Sequence, residues 1–123
     1  MTEYRVWYDD DTRAVWMKFT SVPSAGGIRQ AMKDLIRELD RHQPRFAALD
    51  LREVSGGFPP DFRKAVVESA ANLRTERQAH IISNPVVRML SRTITLLIPS
   101  VRRAGYFKTA EEAASWLKEP FDG

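Results

Sequence analysis

The sequence predicts a single α/β domain over residues 1–123, in which a β-hairpin is followed by alternating strands and helices. Three observations support this class. Two segments rich in aromatic and β-branched residues flank a short polar turn near the N-terminus. Short apolar segments then alternate with stretches of helical periodicity. An apolar fraction of 43% is enough for one hydrophobic core at this length. Strands alternating with helices indicate a mixed, mainly parallel sheet with about four helices.

The hairpin is predicted from Tyr4–Tyr8 and Ala14–Thr20, which are joined by the polar segment Asp9–Arg13. Because side chains alternate along a strand, Trp7 and Trp16 fall on the face opposite to the main apolar face. We expect this pair either to be covered by the chain itself or to form a contact in a homodimer.

The first helix is predicted from about Gly26 to Arg41, with Ser24 as a cap near its start. The apolar run Arg45–Leu51 that follows is typical of a buried central strand.

A loop, Val54–Asp61, leads into a second helix, whose apolar stripe runs from Phe62 to Leu73. Phe58 stands beside Pro59 and Pro60 in this loop. Its side chain either folds over the core or projects as an anchor for a partner, since anchors held by rigid backbone lose little entropy on binding.

The remaining elements follow the same pattern. A strand is predicted at Ala79–Ser83, and a helix then begins with Asn84 as cap and Pro85 in its first turn. Ala104–Phe107 predicts a last strand. Thr109–Glu112 has the sequence of a capping box, in which the Thr and Glu side chains satisfy free backbone N–H groups at the start of a final helix.

Composition excludes several classes of protein. The chain has no cysteine, so neither a disulfide framework nor a thiolate metal site is expected. The N-terminus lacks the layout of a signal peptide, and the apolar stretch Ile94–Ile98 is too short to cross a bilayer. We therefore expect a cytoplasmic protein without a transmembrane segment. Basic and acidic residues are interspersed at a net charge of +3, so nucleic-acid binding is not expected.

A catalytic or metal site is not evident in the sequence. His42 and His80 have no partner at metal-ligand spacing, so no metal and no cofactor is expected. Ser55, His80 and Asp50 could form a triad only if the fold brings them together. Asp50 ends the central strand, where open α/β sheets usually bind ligands. The other interpretation, which we favour, is that Asp50 hydrogen-bonds its own loop.

The order of these elements resembles the STAS superfamily, in particular its SpoIIAA-like group. The segment Phe46–Val54 is similar to the central strand of that family, which closes on Asp-Leu before a functional loop. His80–Ser83 is similar to its fourth strand. Gly105–Ala113 is similar to its terminal strand and helix. The resemblance covers most of the chain and implies a SpoIIAA-like (STAS-like) fold.

STAS domains occur in sulfate transporters and as bacterial anti-sigma factor antagonists, so the resemblance implies a regulatory role. The antagonists carry a phosphorylated Ser or Thr at the start of the second helix. Here Ser55 and Gly56 preserve the hydroxyl-glycine pair but lie earlier, and Pro59-Pro60 supplies no N–H groups for a phosphate.

The predicted function is that of a non-enzymatic regulatory or protein-interaction domain. A protein partner is expected at the loop and the second helix, and the chain is expected to form a homodimer. The candidate loop residues are Asp50, Ser55, Gly56, Gly57, Phe58 and Asp61. The alternative, suggested by the grouping of SpoIIAA-like domains with Sec14-type folds, is binding of a lipid or a small apolar ligand, which requires an empty pocket of several hundred Å³.

Overall fold

A computed structural model of the chain describes residues 4–54 and 60–121. The described residues form strands and helices in the predicted order. The strands are β1 (Tyr4–Asp9), β2 (Ala14–Phe19), β3 (Phe46–Asp50), β4 (Arg77–Ile81) and β5 (Ala104–Phe107). The helices are α1 (Ala25–Leu39), α2 (Phe62–Ser69), α3 (Pro85–Thr95) and α4 (Ala110–Leu117).

The strands form one mixed sheet in the order β1-β2-β3-β4-β5. The hairpin strands β1 and β2 pair antiparallel, with Trp7 opposite Trp16. All other pairs are parallel, and β3 lies at the centre between β2 and β4. The predicted fold class is therefore confirmed: a mainly parallel sheet with an antiparallel edge.

The helices cover the two faces of the sheet unequally. Helices α1, α2 and α3 pack on one face, where Met17, Leu49 and the buried residues of those helices form the larger core cluster. Helix α4 packs on the reverse face, where Phe46 and Ala48 form a smaller cluster with it. Helices α1, α2 and α3 each connect two neighbouring parallel strands, and right-handed crossovers in one direction place all three on the same face of the sheet. Helix α4 follows the last strand, so it is free to cover the opposite face.

Capping side chains lie at the helix starts that the sequence predicts. The capping box at α4 is only half formed, because the Glu112 carboxylate accepts from the Thr109 hydroxyl and not from a backbone N–H. The Ser24 hydroxyl accepts a hydrogen bond from the Gly27 N–H at α1, and the Asn84 side chain accepts from Val86 N and Val87 N at α3. At α4, Thr109 Oγ1 accepts from the Glu112 N–H at 3.1 Å. These contacts satisfy N–H groups that the first turn of a helix leaves free.

Strand β4 begins two residues earlier than predicted, because two polar side chains are buried at its start. Gln78 accepts a hydrogen bond from the hydroxyl of Thr75, and its amide lies 3.0 Å from His80 Nε2. Arg77, only 3% exposed, points to the reverse face. The predicted strand, Ala79–Ser83, omitted both polar residues, whereas the tertiary structure gives each of them a partner.

The guanidinium of Arg77 binds the C-terminal end of α4. It donates to the carbonyl oxygens of Trp116, Leu117, Glu119 and Pro120 at 2.7–3.3 Å. The last carbonyls of a helix have no intrahelical donor and carry partial negative charge, so a cation stabilises them. The group also lies 5.3–5.8 Å from the ring centres of Phe46, Trp116 and Phe121.

We expect Arg77→Met to lower the free energy of unfolding by about 2–3 kcal/mol, because it leaves the buried carbonyls without their donor. Urea denaturation followed by circular dichroism measures this change. The control is Arg74→Met, three residues earlier and exposed, which we expect to change stability by no more than about 0.5 kcal/mol. Equal stability of the two variants would contradict the role given to Arg77.

Candidate functional site

The loop predicted as the interaction site is only partly described by the structure. Ser55, Gly56, Gly57 and Phe58 lie outside the described residues. Asp61 is exposed where α2 begins, and its side chain makes no capping hydrogen bond.

Asp50 lies at the carboxyl end of β3, as predicted, but its carboxylate is already bound by its own chain. Arg52 donates from Nε to Oδ1 at 3.0 Å and from Nη2 to Oδ2 at 2.8 Å. The Arg52 backbone N–H also donates to Oδ1. Burial acts to raise the pKa of Asp50, but these hydrogen bonds and the charges of Arg52 and Lys18 outweigh it and hold the pKa below its usual value. Of the two interpretations that the sequence left open for Asp50, the structure therefore shows the hydrogen bond to its own loop.

Asp50 and His80 cannot belong to one catalytic triad. His80 pairs in register with Leu49 and lies in the wall between the sheet and helices α1–α3. Asp50 comes one residue after Leu49, so its side chain points to the opposite face, together with Phe46 and Ala48. The sheet separates the two side chains, and the triad hypothesis is wrong for this pair.

Trp7 and Trp16 stack with their ring centres 6.1 Å apart, as their register predicts. Trp16 is only 8% exposed, because α4 covers this part of the reverse face, and its Nε1 donates to Thr12 Oγ1 at 3.0 Å. Trp7 is half-buried. Trp16 therefore offers little surface to a second copy, and a dimer contact at Trp7 stays a prediction.

A surface that the sequence analysis did not identify lies on the outer side of α3 and the turn after it. Four large apolar side chains are exposed there: Val86 at 59%, Met89 at 66%, Leu96 at 85% and Leu97 at 46%. Their spacing places them in one stripe along the helix. We call this stripe, together with the exposed Arg88 and Arg92 that border it, the α3 face.

The α3 face belongs to a stretch of the chain whose charged residues are all basic. No Asp or Glu occurs between Glu76 and Glu111, although the basic residues of this stretch include Arg88 and Arg92. Neither of these two arginines forms an ion pair with a described residue, and Arg92 lies over the ring of Tyr106 at 5.9 Å. The expectation of interspersed charge is therefore wrong for this stretch. A count of acidic residues along the chain would have found it.

An apolar cavity of about 80 Å³ lies between the sheet and helices α1, α2 and α3. Among the described residues, no charged side chain lines it, and the polar residues in its wall are Gln78, His80, Ser91 and Thr95. The lipid-binding alternative requires several hundred Å³. The observed volume is smaller, so the cavity does not support the lipid-binding alternative.

The side chain of His80 is buried in the wall of this cavity. Its ring stacks on that of Tyr106, with the centres 4.8 Å apart. Burial lowers the pKa of His80 to about 4, so the imidazole is neutral at pH 7. Its Nδ1 is buried and has no hydrogen-bond partner among the described residues.

The arrangement of the sheet and helices defines the class of fold, which is SpoIIAA-like. The chain is similar to an uncharacterized protein of the DUF3478 family from Shewanella loihica, whose crystal structure has a SpoIIAA-like fold. The match has a TM-score of 0.69 at 16% sequence identity and covers 93% of this chain and 91% of that chain. No family model matches the sequence, and no curated protein matches it. The predicted SpoIIAA-like fold is thus confirmed.

Within residues 4–54 and 60–121, none of the helices has the length and apolar character that crossing a bilayer requires.

We expect Asp50→Asn to lower the free energy of unfolding at pH 7 by about 1–3 kcal/mol, because hydrogen bonds between charged groups are lost in a buried position. The folded-state pKa of Asp50 is lowered, so its contribution is complete above the unfolded pKa of about 4 and is lost as the pH falls below that value. Urea denaturation at pH 7 and pH 3 measures both effects. The exposed Asp61→Asn is the control, and a stability difference that persists unchanged at pH 3 would contradict the assignment.

Proposed function

We propose that this chain is a non-enzymatic interaction module that binds an acidic protein partner through the α3 face. The observation that supports the proposal is the α3 face itself, where four exposed apolar side chains lie beside two arginines without ion-pair partners among the described residues. Exposed apolar clusters of this kind mark interaction sites, since water solvates them poorly.

The charge of the α3 face favours one class of partner. A second copy of the chain would bring the same arginines and no carboxylate from this stretch, so it offers no charge complementarity. A phosphate backbone would pair with the arginines but would leave the apolar stripe uncovered. A protein surface that combines apolar and acidic side chains satisfies both parts of the α3 face.

The proposal keeps the predicted class of function and moves the site from the loop to α3. Two features support the absence of a catalytic role: Asp50 is engaged by Arg52, and His80 lies on the other side of the sheet. Location in the cytoplasm remains a prediction and accords with this proposal. Turnover of any substrate by the purified protein would contradict it.

We expect two variants of the α3 face to lose the same acidic partner. One removes the apolar contact (Met89→Ser with Leu96→Ser), and the other reverses the charge (Arg88→Glu with Arg92→Glu). The measurement is affinity capture from native lysate, followed by titration of the identified partner with purified protein. The dissociation constant should rise at least tenfold for both variants, and that of the wild type should rise with added salt.

Two controls locate the interaction. Arg63→Glu with Lys64→Glu makes the same charge change on the exposed side of α2 and should retain the partner. Phe58→Ala tests the loop that the sequence predicted. A partner that is lost only from Phe58→Ala would contradict the assignment to α3. Binding to anionic lipid vesicles without any protein partner would contradict the class of partner.

A further inference from the structure

Strand β1 lies at one edge of the sheet and, within the part of the chain that the structure describes, pairs only with β2. It has six residues, whereas β5 at the other edge has four. Its pairing with β2 is continuous from Tyr4 to Asp9 without a bulge, and it contains no proline. Short strands, bulges and prolines normally protect a sheet edge from pairing with another chain. β1 has none of these protections.

Three side chains of β1 lie on the reverse face of the sheet, because residues two apart along a strand share a face. They are Arg5, which is exposed, and Trp7 and Asp9, which are half-buried. Among the described residues Arg5 has no carboxylate partner, and its guanidinium lies 5.1 Å from the ring centre of Trp7. Asp9 uses one carboxylate oxygen, Oδ2, to accept from Thr12 in its own turn. We call the outer side of β1, together with these three side chains, the β1 edge.

The charges of the β1 edge are complementary to themselves. Arg5 and Asp9 lie at equal distances along the strand on either side of Trp7, two residues before it and two residues after it. In an antiparallel pair of β1 strands with a twofold axis at Trp7, each Arg5 therefore lies opposite Asp9 of the other copy. Opposed pairs of unlike charge and of aromatic rings both stabilise a sheet. No other antiparallel register places Arg5 opposite Asp9.

We propose that two copies of the chain pair antiparallel through the β1 edge, with Trp7 at the twofold axis, so that the two five-stranded sheets become one continuous sheet. The partner is a second copy rather than a foreign strand, because the charge pattern of β1 matches its own reverse. This contact is distinct from the α3 face and does not depend on the function proposed for that face.

Helix α1 is compatible with this arrangement. It packs over β1 on the main face, where Asp34 accepts a hydrogen bond from the Tyr4 hydroxyl. The twofold axis therefore brings the α1 helices of the two copies side by side. Arg37 pairs with Asp34, and Arg41 pairs with Glu38, within each helix. The two helices thus present both signs of charge to each other rather than one sign.

The first test changes the charges of the β1 edge. Arg5→Asp places a carboxylate opposite each Asp9, and Asp9→Lys places an ammonium opposite each Arg5. Sedimentation velocity over a concentration series measures the dissociation constant of the dimer. We expect this constant to rise at least tenfold for each variant alone, because like charges directly opposite destabilise a strand pair.

An equimolar mixture of these two variants should associate again, because the introduced carboxylate of one copy then faces the introduced ammonium of the other. The remaining pair in that mixed dimer is the native Arg5 with the native Asp9. The control is Arg63→Asp, which makes the same charge change as Arg5→Asp at an exposed position of α2. We expect it to dimerise as the wild type does.

The second test determines the register. The chain has no cysteine, so a single introduced cysteine reports one contact. Trp7→Cys places two thiols opposite each other, at the Cβ separation of about 4.5–5.5 Å from which a small adjustment permits a disulfide. Arg5→Cys is the control, since its thiols lie about 14 Å apart along the strand pair. We expect mild oxidation to link Trp7→Cys into a dimer and to leave Arg5→Cys monomeric.

Four results would overturn the proposal. The wild type stays monomeric up to about 1 mM, or the mixture of the two folded charge variants does not associate. Alternatively, Arg5→Cys forms a linked dimer as readily as Trp7→Cys, or Met89→Ser with Leu96→Ser on the α3 face abolishes the dimer. The wild-type and cysteine measurements do not involve Asp9→Lys, so the proposal stays testable even if that variant does not fold. Arg5→Asp should retain the acidic partner of the α3 face, so failure of one proposal does not imply failure of the other.

Discussion

Arg77 carries a positive charge between β4 and α4. The reverse face of the sheet stays covered because both Nη atoms of Arg77 are hydrogen-bonded there, although its Nε has no partner among the described residues. Its partners are carbonyl groups at the end of α4 and in the segment that follows it, together with three surrounding aromatic rings, rather than a carboxylate. The contact fixes where α4 lies, and α4 in turn buries Phe46 and Trp16. Without a helix at this position, the central strand would expose one apolar side. The opposite face needs no comparable anchor, since three connecting helices cover it.

Helix α3 carries apolar side chains on two opposite sides. The inner side of α3, with Val87 and Ile94, closes the cavity, while its outer side carries the α3 face. A helix is normally apolar on one side only, because one side faces solvent. Helix α3 departs from this rule, and packing of the core does not explain why apolar side chains are exposed on its outer side. Recognition of a partner supplies a reason.

Polar residues in the core are explained in two different ways. Asp50 is a charged group whose burial is offset by Arg52, and Gln78 is satisfied through Thr75 and His80. His80 differs from both, since half of its hydrogen-bonding capacity is unused. A neutral imidazole in this state stabilises the fold less than a fully bonded one.

The sequence by itself determined the order of strands and helices, the capped helix starts at Ser24, Asn84 and Thr109, and the SpoIIAA-like class. The elements and their caps depend on neighbours within a few residues, which periodicity and capping chemistry report directly. The SpoIIAA-like class followed from the family resemblance that the order of these elements carries. Only the tertiary structure decided that Trp16 is buried, that β4 begins at Arg77, and that Asp50 and His80 lie on opposite faces. The cavity and the α3 face also depend on which side of each helix meets the sheet. Such contacts join residues far apart in the chain, and no local pattern specifies them.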